Sequence, residues 1–95
     1  MIDQMLSVIV VVQNEADRAQ PMLDQLGSLL AKEVSGYEII VVDNHSTDDT
    51  VPVLEDLARR YPNIQVYCLA SRADWDVACM AGMEQAIGDY VILFD

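Results

Sequence analysis

Positive charge is what this chain has least of: Lys and Arg number 5 against 16 Asp and Glu, for a formal net charge of -11 over 95 residues. That balance excludes partners held by basic side chains, so neither a nucleic-acid backbone nor an anionic membrane surface is expected to bind it. A bound phosphate would need a bridging cation. Cysteine is scarce as well. Cys68 and Cys79 fall in apolar runs with no CxxC or Cys/His spacing, which predicts buried, reduced thiols rather than ligands or a disulfide. No apolar run approaches the roughly 20 residues of a membrane helix, and the N-terminus has no basic segment leading into a signal-like run. The segment is therefore expected to be cytoplasmic and to make no membrane contact. Internal repeats, linkers and low-complexity stretches are absent.

Apolar material, by contrast, is plentiful. A 53% hydrophobic content and a mean hydropathy of +0.20 are enough for one packed core and exclude disorder. The chain turns on Tyr37 to Thr50, YEIIVVDNHSTDDT. Ile39 to Val42 do not alternate apolar with polar, which predicts a strand covered on both faces, as in a parallel sheet. Asp43 stands at the C-terminal end of that strand. Asn44, His45, Ser46 and Thr47 are loop and cap formers, and Asp48 and Asp49 suit the positive end of a following helix.

The remaining elements alternate. Leu6 to Val12 is an apolar, β-branched strand. A helix from about Asp17 to Ala31 carries Met22, Leu23, Leu26, Leu29 and Leu30 at helical spacing, and Ser35 with Gly36 is expected to end that unit. Val51, Leu54, Leu57, Ala58 and Tyr61 form the stripe of a second helix. Ile64 to Leu69 is a strand whose interior Gln65 and neighbouring Pro62 place it at an edge. A third helix from Trp75 to Ile87 is capped by Asp74 and stopped by Gly88 in a left-handed conformation, with Gly82 close against the sheet; Trp75 is read first as core and second as lining a ligand pocket. Tyr90 to Phe94 is a last apolar strand, and Asp95 follows it. The predicted fold is α/β, a parallel sheet of about four strands in the order 3-2-1-4 with right-handed crossovers. Ligands bind such sheets beyond the strand C-termini where the winding reverses. The first strand ends in Val12, Gln13 and Asn14, which supplies neither the acidic pair of a phospho-receiver nor the Ser/Thr/Gly-rich phosphate loop of a flavodoxin.

Three stretches resemble the nucleotide-sugar glycosyltransferases of family 2, with the GT-A fold. They are Val8 to Glu15 (family pattern near VVIPxYNE), Val41 to Thr50 (family VVDDGSTDGT) and Ala81 to Asp95 (family NAGLxxAxGDYVxxxD). Their order and spacing match across nearly the whole chain. The resemblance implies a Rossmann-like GT-A nucleotide-binding half spanning 1–95, cut at the first Asp of a DxD motif. It implies a UDP- or GDP-sugar donor and transfer to an acceptor hydroxyl or lipid phosphate. The acceptor half and the catalytic base are expected to lie outside the chain, so no catalytic residue is assigned and the segment alone is expected to be inactive.

By the same resemblance, Val11, Gln13, Asn14 and Glu15 line the base and ribose, Asp43 and Asn44 meet the base, and Ser71 and Arg72 border it. Asp95 holds a divalent metal, Mg2+ or Mn2+, against the diphosphate. A carboxylate can accept a ring N–H in a charge-assisted hydrogen bond, and a hard cation joins carboxylate to phosphate oxygens. Val11 and Gln13 stand where the family has Pro and Tyr, which removes an aromatic partner for the base. Ser71 and Ala73 replace Asn and Gly, and His45 replaces a Gly, which implies a turn that is not left-handed or is strained. In a different class of reading, the last strand is an exposed edge through which the chain forms a homo-oligomer.

Overall fold

Near-continuous β-branched runs dominate two strands, and those two lie at the centre of the sheet. The computed structural model describes residues 2–94. In chain order the elements are β1 (Ile2–Val12), α1 (Ala16–Glu33), β2 (Val34–Asp43), α2 (Thr50–Arg60), β3 (Ile64–Cys68), α3 (Trp75–Met83) and β4 (Tyr90–Phe94). The sheet is four-stranded in the order β3-β2-β1-β4, and every pairing is parallel. This is the predicted 3-2-1-4 arrangement. The winding reverses between β1 and β4, because β1 carries β2 on one side and β4 on the other.

Period-two alternation sorts the strand residues onto two faces. Val8, Val10, Val12, Ile39, Val41 and Ile64 pack under α1 and α2, which contribute Ala19, Leu23, Leu26, Leu30, Leu54 and Leu57. Ile9, Ile40 and Val42 face α3 through Ala78. Each fully buried leucine or isoleucine stabilises the fold by about 1.5–3 kcal/mol. Gly82 allows α3 to approach, since a Cβ there would lie 2.7 Å from Ile9 Cγ2 and 2.9 Å from Val42 Cγ2. The close packing expected at Gly82 is present.

Several boundaries differ from the sequence reading. β1 begins at Ile2 rather than Leu6, and α1 runs directly into β2, so Ser35 and Gly36 are strand residues rather than a break. Gly36 pairs with Met5 across the β1–β2 ladder. α3 ends at Met83, short of Ile87. There the backbone tightens to i→i−3 bonds, Gln85 N–H to the Gly82 carbonyl and Ala86 N–H to that of Met83, while the Ile87 N–H donates to Glu38 Oε2 at 2.9 Å instead of continuing the helix. No glycine among the described residues has a positive φ, so Gly88 is not a left-handed stop. Its Cβ position is filled by Ser7 Oγ and the Met5 and Ser7 backbone. Leu29, Tyr61 and Cys68 are exposed rather than core, and Trp75 is too. Cys68 ends an edge strand, where one side has no neighbour. Its thiol is nevertheless pushed above its ordinary range, first by desolvation and then by the Asp43 and Glu55 charges.

One polar cluster interrupts the apolar sheet. Glu38, 3% exposed on β2, accepts at Oε2 from Ser7 Oγ (2.6 Å) and from the Ile87 N–H (2.9 Å), and at Oε1 from Gln65 Nε2 (2.9 Å). Ser7 Oγ in turn accepts from the Gly88 N–H at 2.9 Å. The cluster ties β1, β2 and β3 to the turn that launches β4.

Candidate functional site

Loops leave the C-terminal ends of β1, β2 and β3 side by side, and short polar side chains bind them together. Asn14 follows β1 in a left-handed conformation, φ 52°, which Asn tolerates better than most residues. Its Oδ1 accepts from the N–H groups of Thr47 (2.9 Å) and Asp48 (3.3 Å), and its own N–H donates to Ser46 Oγ at 2.8 Å. The Glu15 N–H donates to Thr50 Oγ1 at 2.8 Å. Asp48 accepts from the Thr50 N–H at 2.9 Å and from the Thr50 hydroxyl. The Thr50 side-chain hydrogen bond is the main reason that the Asp48 carboxyl sits below its ordinary range. His45 has φ 59°, so the strained alternative for this Gly-replacing position is the one adopted.

Asp43 is 1% exposed, and both its oxygens serve Ser46: Oδ1 accepts from Ser46 Oγ at 2.6 Å and Oδ2 from the Ser46 N–H at 2.9 Å. It closes its own turn. Asn44 reaches across to the loop after β3 with a reciprocal pair, Nδ2 donating to the Ala73 carbonyl at 2.8 Å and Oδ1 accepting from the Ala73 N–H at 2.8 Å. Asp74 occupies the cap position of α3, but its side chain makes no capping hydrogen bond.

These contacts frame a cleft of about 410 Å³ lined by Val11, Val12, Gln13, Glu15, Asn44, Arg72, Ala73, Asp74 and Trp75. The size suits a small ligand. Of the residues singled out in the sequence, Val11, Gln13, Glu15, Asn44 and Arg72 meet here. Asn14 opens instead on an adjoining hollow with Glu15, Ala16 and Asp48, Ser71 is exposed outside the cleft, and Asp43 is buried beside it in sequence without lining it. Asp95 lies outside the described residues. Among the described residues no cluster of His, Cys, Asp and Glu fits a metal ion. A more apolar hollow of about 340 Å³, lined in part by Leu23, Tyr37, Tyr61 and Ile64, lies under α1 and α2. It is not at the strand C-termini where open α/β sheets bind ligands.

Of the two sequence readings of Trp75, the core came first, yet the residue is 49% exposed and lines the cleft, as the second reading had it. The available signal was its position: the residue directly after Asp74, at the start of a helix facing the strand ends.

Residues 7–95 match the family model described as Glycosyl transferase family 2. The undecaprenyl-phosphate 4-deoxy-4-formamido-L-arabinose transferase of Pseudomonas fluorescens is 33% identical over 91 residues, covering 95% of this chain and 27% of that protein. A mannosyltransferase from Pyrobaculum calidifontis, solved with GDP-Man and Mn2+, superposes with a TM-score of 0.79 at 25% identity, over 96% of this chain and 27% of that one. Residues 1–349 of S. aureus TarS in complex with UDP-GlcNAc give 0.79 at 26% identity, over 96% of this chain and 26% of that one. The chain thus spans about a quarter of the length of the proteins it matches. Among the described residues no helix is long and apolar enough to cross a membrane.

Proposed function

The chain belongs to glycosyl transferase family 2, and from that premise we propose that its cleft receives the nucleoside part of a nucleoside-diphospho-sugar, with a UDP or GDP carrier. The observation that carries this reading is the convergence of Val11, Gln13, Glu15, Asn44 and Arg72 on one cleft at the strand C-termini. Gln13 offers a carboxamide donor and acceptor to a base edge, and Arg72 sets a positive charge in a strongly acidic protein. Asp43 acts through the loop that it closes, holding Asn44 in place. Sugar transfer to an acceptor hydroxyl or lipid phosphate belongs to the longer proteins of the family, and the 95-residue chain binds without transferring.

A divalent cation, Mg2+ or Mn2+, would be held by Asp95 together with the diphosphate oxygens and would neutralise the leaving group's charge. No donor set among the described residues fits the ion, so no step of the reading passes through it. Isothermal titration of the chain with UDP and with GDP in Mg2+ is expected to show binding, with Arg72→Ala weakening it about 10-fold, the worth of one charged hydrogen bond. Absence of heat with both nucleotides overturns the reading.

A second reading, self-association, draws on β4, whose residues Tyr90 to Phe94 are each between 38% and 56% exposed along an unpaired edge. Such edges pair with other chains. Light scattering is expected to give a dimer or larger species that Ile92→Lys dissociates; a monomeric parent chain rejects it.

A further inference from the structure

We propose that Trp75 supplies the aromatic face on which the donor's nucleobase stacks. The inference rests on the nucleotide-binding reading above and adds the residue that recognises the ring. Trp75 is the only tryptophan in the chain, and it is half exposed on the wall of the same cleft as Val11, Gln13, Asn44 and Arg72. A large ring left in water costs hydrophobic free energy unless a ligand covers it, and exposed Trp in a concave site is a common anchor for flat ligands. The end of β1, Val8 to Glu15, offers no aromatic side chain to the cleft.

The ring is also well placed. It stands on the first residue of α3, two positions after Ala73, which Asn44 grips from both sides at 2.8 Å. The Ala78 N–H donates to the Asp74 carbonyl at 3.0 Å, and Ala78 and Gly82 are buried against the sheet, so the helix start is fixed to both loop and core. Asn44 spends its amide on Ala73, which leaves Gln13 and Arg72 to meet polar edges while Trp75 meets a π-face. Stacking tolerates any base but favours larger rings, so Trp75 gives affinity and Gln13 discriminates.

Trp75 being unique, the emission of the unmodified chain reports on this ring alone when it is excited at the long-wavelength edge, where the four tyrosines do not absorb. Titration with UDP or GDP in Mg2+ is expected to quench it with the dissociation constant seen by calorimetry, whereas Mg2+ pyrophosphate, which lacks a base, leaves it unchanged. Trp75→Ala is expected to weaken nucleotide binding about 10-fold or more, as losing one base–aromatic stack does, while Trp75→Phe stays within about threefold of the parent. Heat of binding without any change in emission, or with Trp75→Phe as weak as a non-aromatic variant, overturns the stacking role and leaves the nucleotide-binding reading standing. No heat with either nucleotide overturns both. Should Trp75→Ala fail to fold by circular dichroism, the parent emission and the Trp75→Phe affinity still decide.

Discussion

Glu38→Leu is expected to lower the unfolding free energy by about 3 kcal/mol, the cost of stranding donors that a buried carboxylate had satisfied. Ser7 Oγ, Gln65 Nε2 and the Ile87 N–H all donate to Glu38, and leucine accepts from none of them. For a domain of this size such a loss lowers the melting temperature by about 15 °C. Glu38→Gln keeps the shape and one acceptor oxygen, but its amide must turn two donors toward either Gln65 or the Ser7 and Ile87 pair. About half the loss is expected. Combining Glu38→Leu with Ser7→Ala should cost less than the sum of the two single changes, because both remove the same hydrogen bond. Urea unfolding measures all of these, and an unchanged midpoint for Glu38→Leu would show that the cluster is not structural. The cluster also seats the turn before β4 and so fixes where that strand enters the sheet.

How much of this was legible in the sequence varies with the range of the interaction that decides it. Ile39 to Val42 announce a central strand because an uninterrupted apolar run requires cover on both faces, and that cover is present on both. Gln65 and Pro62 mark β3 as an edge through local chemistry alone. The start of β2 was not legible: Ser35 and Gly36 are poor strand formers, and their place is decided by pairing with β1 some thirty residues earlier. The end of α3 was hidden for the same reason, since Glu38 on another strand takes the N–H that a longer helix would use. At the site, the loop residues that gather there could be named from motif resemblance. Which of them face the cleft could not, because Asp43 turns inward onto Ser46 of its own loop, and Asn44 meets Ala73 only once the loops after β2 and β3 are brought together. Trp75 was read first as core on hydrophobicity, whereas the strand ends beneath it form a hollow rather than a packed layer.

Gly88→Ala is expected to destabilise the fold by about 2–3 kcal/mol, and more than Gly82→Ala does, although both add one methyl group to a filled space. At Gly82 the obstacles are methyl groups of Ile9 and Val42, 2.7 and 2.9 Å from the new Cβ, and α3 can lift slightly from the sheet to clear them. Alanine there also recovers about 1 kcal/mol of helix propensity, which offsets part of the strain. At Gly88 the new Cβ falls 2.9 Å from the Met5 carbonyl oxygen and 2.9 Å from the Ser7 nitrogen, and 2.6 Å from Ser7 Oγ. Those are atoms of a central strand and of a buried serine already bonded to Glu38, so neither yields. Relief must come from the turn itself, which loses the Gly88 N–H bond to Ser7 and disturbs the pairing of Asp89 with Met5. Denaturation midpoints rank the two variants directly, and a milder effect at Gly88 would mean that the turn before β4 is free to move. Because β4 pairs with β1 over Leu6 to Val10 while the cleft is carried by the loops after β1, β2 and β3, nucleotide affinity of the folded Gly88→Ala chain should stay within about twofold of the parent. A large loss of affinity without loss of fold would instead place β4 among the supports of the site.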